Sequence, residues 1–311
     1  MPIQWILIAI SLGSLFAWYP SFACAQSPNG LLVLQTDFGE RDGAVAAMRG
    51  VAYGVDASLR VEDLTHEIPA FDVWQASYRL MQTAAYWPVG TVFVSVVDPG
   101  VGTSRKSVVA FAAGRYFVTP DNGTLSLIAL ELGIDAVHEI DERENRLPGS
   151  YYSNTFHGRD VYVYTAARLA SGKIDLASVG PELDVTSVQV IEPPDVVFAD
   201  KMVSGFIPVL DPQYGNVWTN IPRATFLRLG ARYRDYVNVT IRNRAEIAFQ
   251  GVLPFVTTFG DVSEHSPLLY VNSLDNIALA LNQGNFAAAH GIASGSGWTI
   301  ELSLAESSAA E

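Results

Sequence analysis

A chain of 311 residues in which 49% are hydrophobic and only 16% are charged can bury a substantial core, and its composition is not that of a disordered protein. Its net charge of −13 repels phosphate, which argues against nucleic acid or an anionic membrane surface as partner and suits a cationic small molecule.

The first charged residue is Asp37. Ahead of it, Trp5 to Tyr19 form an apolar stretch too short to span a bilayer comfortably, followed by the small-residue cleavage pattern Ala23-Cys24-Ala25. This predicts a signal peptide over residues 1–25 and an exported, periplasmic protein, although no Lys or Arg precedes the apolar run. Cleavage after Ala25 would remove Cys24, the sole cysteine, and with it any disulfide, thiolate nucleophile or cysteine-based metal site.

Leu31 to Gln35 is a short apolar run that predicts a buried strand ending in the polar turn Thr36-Asp37-Phe38-Gly39. Residues 42–55 predict a packed helix, Leu59 to Leu64 a strand, and the stripe Val73, Ala76, Leu80, Ala84 and Trp87 a second helix closed by Pro88. Thr91 to Val97 is β-branched and continuous, as in a fully buried strand. Lys106 to Ala112 and Arg115 to Thr119 form a hairpin around Ala113-Gly114, and helical patterns return over Thr124 to Leu132 and Gly158 to Ala170. Strands alternating with helices predict an α/β domain over residues 30–190 with a mostly parallel sheet. After the linker Glu192-Pro193-Pro194-Asp195, strand-like runs at Val203 to Leu210, Val237 to Arg242, Leu268 to Asn272 and Trp298 to Leu302 predict a smaller all-β, barrel-like domain over 196–306.

Four polar clusters interrupt these elements. Asp37, with Asp42 nearby, lies on a loop at a strand's carboxyl end, where it either accepts two ribose hydroxyls or caps the following helix. Asp98 ends a buried strand and needs a partner, which Arg105 can supply around the loop, either as a structural ion pair or as part of a site. His157 opens a helix, a setting that favours neutral imidazole and suits a general base, with His66 as its rival. No spacing typical of a metal site joins those histidines. In the β region, Asp211, Tyr214, Asn216 and Trp218 interleave aromatic and polar groups as a flat base would require, unless they form only a hairpin turn.

Six segments in order resemble the S-adenosylmethionine hydroxide adenosyltransferase family, relatives of the fluorinating and chlorinating enzymes. They are TDFGERD (36–42), DLTHEIPAFDV (63–73), FVSVVDPGVGTSR (93–105), VTPDNGTLS (118–126), NTFHGRDV (154–161) and DPQYGNVWTN (211–220). The resemblance implies hydrolysis of S-adenosylmethionine to adenosine and methionine, without cofactor or metal. It also implies a homotrimer whose active sites lie between the N-terminal domain of one subunit and the C-terminal domain of the next. The water-activating set falls on Asp98, Arg105 and His157. Asp37 would hold the ribose; Asp42, Asp211 and Ser273 the methionine end. Phe71 and Phe156 would line the pocket, and Tyr214, Asn216, Trp218 and Phe259 would hold the adenine. Halogenating members carry an insertion after the Gly-rich segment and lack this Asp and His; here the insertion is absent and both residues are present. The arginine that follows the serine in those members is replaced by Leu274. A non-catalytic exported binding protein for adenosine or S-adenosylmethionine is the alternative, and it could dispense with the catalytic set.

Overall fold

The computed structural model describes residues 27–306, so the expected signal peptide over 1–25 lies outside the described residues. In chain order the first unit holds β1 (Leu31–Thr36), α1 (Ala44–Val55), β2 (Arg60–Thr65), α2 (Val73–Ala84), β3 (Val92–Val96), β4 (Ser107–Ala112) and β5 (Arg115–Pro120). It continues with α3 (Ser126–Glu131), β6 (Ala136–Glu139), α4 (Val163–Ala170) and β7 (Glu182–Leu183).

The seven strands form one sheet in the order β2-β1-β3-β5-β4-β6-β7. The first four pair in parallel, and β4, β6 and β7 add on antiparallel, so five of the seven strands run the same way. Strand periodicity decides which residues meet which helices. Leu32 and Leu34, with Val92, Val94 and Val96, pack with Met48 and Ala52 of α1 and Leu169 of α4. The intervening Val33 and Phe93 pack on the other face with Leu80 and Ala84 of α2 and Ile128 of α3. The central strands β1, β3, β4 and β5 are thus buried on both faces, which explains their largely apolar sequences, whereas the edge strand β2 is charged and mostly exposed.

The second unit holds β8 (Val197–Ala199), β9 (Met202–Ile207), β10 (Val209–Leu210), β11 (Val217–Pro222), α5 (Arg223–Leu227), β12 (Tyr236–Asn243) and β13 (Glu246–Pro254). It ends with β14 (Pro267–Val271), β15 (Asn276–Leu281), α6 (Phe286–His290) and β16 (Gly295–Leu304). Two antiparallel sheets, β10-β11-β15-β14 and β13-β12-β16-β9-β8, enclose one core in which Val237, Val239 and Ile241 face Val217, Ile277 and Leu279. The run Val203 to Leu210, expected as one strand, breaks at Pro208 into β9 and β10, which belong to different sheets. Proline has no N–H for a ladder, so the corner falls there. Strands β6, β7, β8, β11, β13 and β15 had no counterpart among the sequence expectations. β13 shows why: its mixed residues are mostly half-exposed and include Gly251, so no clean alternation marks it.

The units meet where Tyr78 and Arg79 of α2 pack on Trp218, ring centroids 6.4 Å apart and guanidinium 5.6 Å from the indole. Arg79 also donates to the Leu210 carbonyl at 2.7 Å.

The β4–β5 hairpin turns through Ala113 (φ 48°) and Gly114 (φ 76°), both left-handed as a two-residue hairpin demands. A Cβ at Gly114 would stand 3.0 Å from Val89. We expect Gly114→Ala to cost at least about 1 kcal/mol and Ala113→Gly to stabilise by up to about 1 kcal/mol, read by denaturant unfolding.

Candidate active site

Asp98 follows β3 as its chain leaves the buried sheet, so its side chain is only 5% exposed. A carboxylate there needs compensation. The loop 99–104 returns Arg105 to it: Nε donates to Oδ1 at 2.8 Å and Nη2 closes a second bond to Oδ2. The loop can turn so tightly because Gly102 sits at φ 77°, where a Cβ would meet the Asn154 carbonyl at 3.0 Å.

Nη2 of Arg105 also lies 3.2 Å from Nδ1 of His157. A guanidinium can only donate, so Nδ1 accepts, and neutral His157 carries its hydrogen on Nε2. That Nε2 is buried with no protein partner, and His157 lines an open cavity of about 260 Å³. Burial pushes His157 below the ordinary imidazole pKa; Glu142 opposes this, while Arg105 and Arg146 reinforce it. Burial alone would lower the Arg105 pKa, but its bonds to Asp98 and the charges around it outweigh that and raise it. The pair therefore presents a fixed cation beside a neutral imidazole.

His157 is held by an irregular helix start: Gly158–Tyr162 form a π-helical turn leading into α4, a widening often found at functional positions. Phe156 and Phe38 meet edge to face at 5.8 Å on the same wall. Asp37 lines this cavity too. It makes no bond to the start of α1; Asp42 does, its Oδ1 accepting from the Ala44 N–H at 2.8 Å from an exposed position, while Gly43 holds the cap position itself. Asp37 instead accepts from the Phe71 N–H at 2.9 Å. Phe71 is 72% exposed with φ 69°, a strained conformation for a bulky residue.

A second cavity of about 550 Å³ lies in the C-terminal unit, lined by Tyr214, Asn216 and Phe259. Asp211 shapes its edge by accepting from the N–H groups of Gln213 and Tyr214. No residue lines both this cavity and the one at His157. Five expected residues line neither. Arg105 bonds to Asp98 and His157, Asp211 braces the turn at Gln213 and Tyr214, Asp42 bonds to the Ala44 N–H at the start of α1, Ser273 is exposed in the β14–β15 turn, and Trp218 is buried at the seam between the units. Leu274 packs at that same seam. Sequence reasoning missed Ser107, Glu142, Arg146 and Tyr162, which surround Arg105 and His157; Ser107 and Tyr162 adjoin singled-out segments, while Glu142 and Arg146 carried no signal.

Residues 32–180 match the SAM hydroxide adenosyltransferase N-terminal domain and residues 205–299 its C-terminal domain. The chain is 34% identical over 271 residues to a protein of Salinispora tropica named (R)-S-adenosyl-L-methionine hydrolase, covering 86% of this chain and 97% of that one. It is 26% identical to a fluorinase of an Actinoplanes species, covering 86% and 96%. A crystal structure of an uncharacterized conserved protein from Thermotoga maritima superposes with a TM-score of 0.79 at 34% identity, covering 88% and 99%.

His66, the rival histidine, is buried with both nitrogens engaged, Nδ1 with Thr36 at 2.8 Å and Nε2 with Asp63 at 3.0 Å. It does not line the cavity at His157. A metal shared by the two is not supported: among the described residues no cluster of His, Cys, Asp and Glu could hold one. We expect His66→Phe, which strands the Thr36 hydroxyl, to lower stability by about 1–3 kcal/mol in thermal unfolding.

Proposed function

The chain belongs to the SAM hydroxide adenosyltransferase family, and from that premise we propose that it hydrolyses S-adenosylmethionine to adenosine and methionine. The observation that carries this reading is the Asp98–Arg105–His157 cluster, whose Asp98 and His157 line a cavity that also holds Asp37 and three aromatic rings. The sulfonium is already a good leaving group, so no general acid is needed. The oxygen of water bonds to C5′ as the C5′–S bond breaks, and the electron pair goes to sulfur, leaving a neutral thioether. One proton of the water must leave. His157 with its hydrogen on Nε2 is a donor to that oxygen, so Asp98, whose carboxylate keeps free lone pairs, accepts the proton and passes it to solvent. The Arg105 charge lowers the water's pKa. Asp37 binds the ribose hydroxyls, and its bond to Phe71 makes it available in a fixed orientation.

The working unit is a homotrimer in which the cavity at His157 is completed by the Tyr214–Asn216–Phe259 cavity of a neighbouring subunit. Support comes from size and division: about 260 Å³ falls below the roughly 300–1,000 Å³ of small-molecule sites, and the base-binding candidates line a separate cavity. The exposed Phe71 at the rim gives such a neighbour an apolar surface. The apolar segment before Gln26 makes the protein exported and periplasmic.

Adenosine release from S-adenosylmethionine, followed by chromatography, tests the activity. Asp98→Asn, Arg105→Ala and His157→Ala should each lose about a hundredfold to ten-thousandfold in rate while retaining adenosine binding, and the losses should not add. Wild-type turnover in the Asp98→Asn, His157→Ala double variant would reject the assignment. Mixing inactive Asp98→Asn subunits with inactive Asn216→Ala subunits, after unfolding and refolding together, should restore part of the activity. No restoration would argue that each subunit builds its site alone.

A further inference from the structure

Behind the candidate site lies a second charged pair that the proposed reaction leaves unused. Arg146, on the loop after β6, has a side chain only 5% exposed. Its Nη1 donates to Glu142 Oε2 at 2.9 Å. Its remaining donors reach forward along the chain: Nη2 to the Ser153 carbonyl at 2.5 Å, and Nε to Ser150 Oγ at 3.3 Å. The tethered segment, residues 150–153, runs directly into Phe156 and His157. A planar fork that bonds two points of one loop and a carboxylate together fixes that loop's path in a way a single ammonium cannot.

Glu142 faces the other direction as well. Its Oε1 lies 3.4 Å from Ser107 Oγ, which accepts from Arg105 Nη1 at 3.0 Å and meets the buried Tyr162 hydroxyl at 3.2 Å. The same Oε1 stands 3.9 Å from His157 Nδ1. Around His157 the charged groups are therefore Asp98 after β3, Arg105 after the Gly-rich loop, and Glu142 and Arg146 after β6, with Tyr162 beneath and Asp37 across the cavity. Protonating His157 would turn Nδ1 into a donor opposed to the Arg105 donor. Glu142 is the carboxylate on that side that could then take its hydrogen.

We propose that Glu142 and Arg146 are positioning residues for this site: Arg146 fixes the loop that presents Phe156 and His157, and Glu142 sets the charge against which His157 titrates. The inference rests on the proposed hydrolysis for its kinetic consequences, but its electrostatic part needs no substrate. Removing the Glu142 charge leaves two arginines facing the imidazole against Asp98 alone, so the His157 pKa falls, and the neutral form survives to lower pH.

The test is a nitrogen-15 histidine NMR titration of the whole protein, with His157→Gln to assign the signal, alongside pH–rate profiles for adenosine formation. Glu142→Gln should lower the His157 pKa by about one unit and move the acid limb of the rate profile down with it. Arg146→Lys, which keeps the charge and loses the fork, should lower kcat severalfold with little change in the limb. Arg146→Ala should be worse, with partial recovery in the Lys variant. A His157 pKa unmoved in Glu142→Gln overturns the electrostatic role. Wild-type kcat in Arg146→Lys overturns the positioning role. If wild-type protein does not hydrolyse S-adenosylmethionine, the functional reading fails, and the titration still decides the part played by Glu142.

Discussion

A guanidinium carries five N–H donors and no acceptor, and the region around Arg105 is organised by that asymmetry. Every neighbour must accept from it. Asp98 does so through both oxygens, Ser107 through its hydroxyl and His157 through Nδ1. The last bond decides the tautomer, and the tautomer decides what the ring's other nitrogen can do at the cavity. Desolvation then keeps the ring neutral, so that a second positive charge does not form beside the first. Asp98 is tolerable in its buried position for the same reason that Arg105 is: each removes the other's unpaired charge.

Much of the N-terminal unit was legible because both faces of its sheet are covered, which writes continuous apolar strands into the sequence. Thr91 to Val97 and the Ala113-Gly114 turn are examples. The C-terminal unit was read less completely. Half-exposed strands such as β13 carry a diluted pattern, and the sheet change at Pro208 interrupts what looks like one strand. At the site, Asp98 and Arg105 could be paired from burial and loop length alone, and His157 joined them only through resemblance. Of the two readings open for Asp37, cavity or helix start, the structure has the first: Asp37 lines the cavity, and Asp42 bonds to the start of α1. Glu142 and Arg146 were invisible because they sit in a charged turn, DERENR, that reads like any solvated loop.

The division of candidates between two cavities bears on how specificity and chemistry are distributed. The residues that would handle the sulfonium carbon cluster on rigid strand ends and a helix start, each held by several bonds. Those that would handle a flat base lie on the Asp211–Asn216 turn and the short turn at Phe259, the latter fixed by the Thr258–Asp261 capping box. The two sets of candidates thus sit in different folds, one in each unit.

The five-stranded sheet has a feature that concerns its making. β16, the last strand in the chain, occupies the middle position and pairs with β12 on one side and β9 on the other. Without residues 295–304 the two flanking hairpins have no common partner. The sheet is therefore closed by contacts between residues about as far apart in sequence as the unit allows, and the loop-closure entropy of such pairings makes them slow to form.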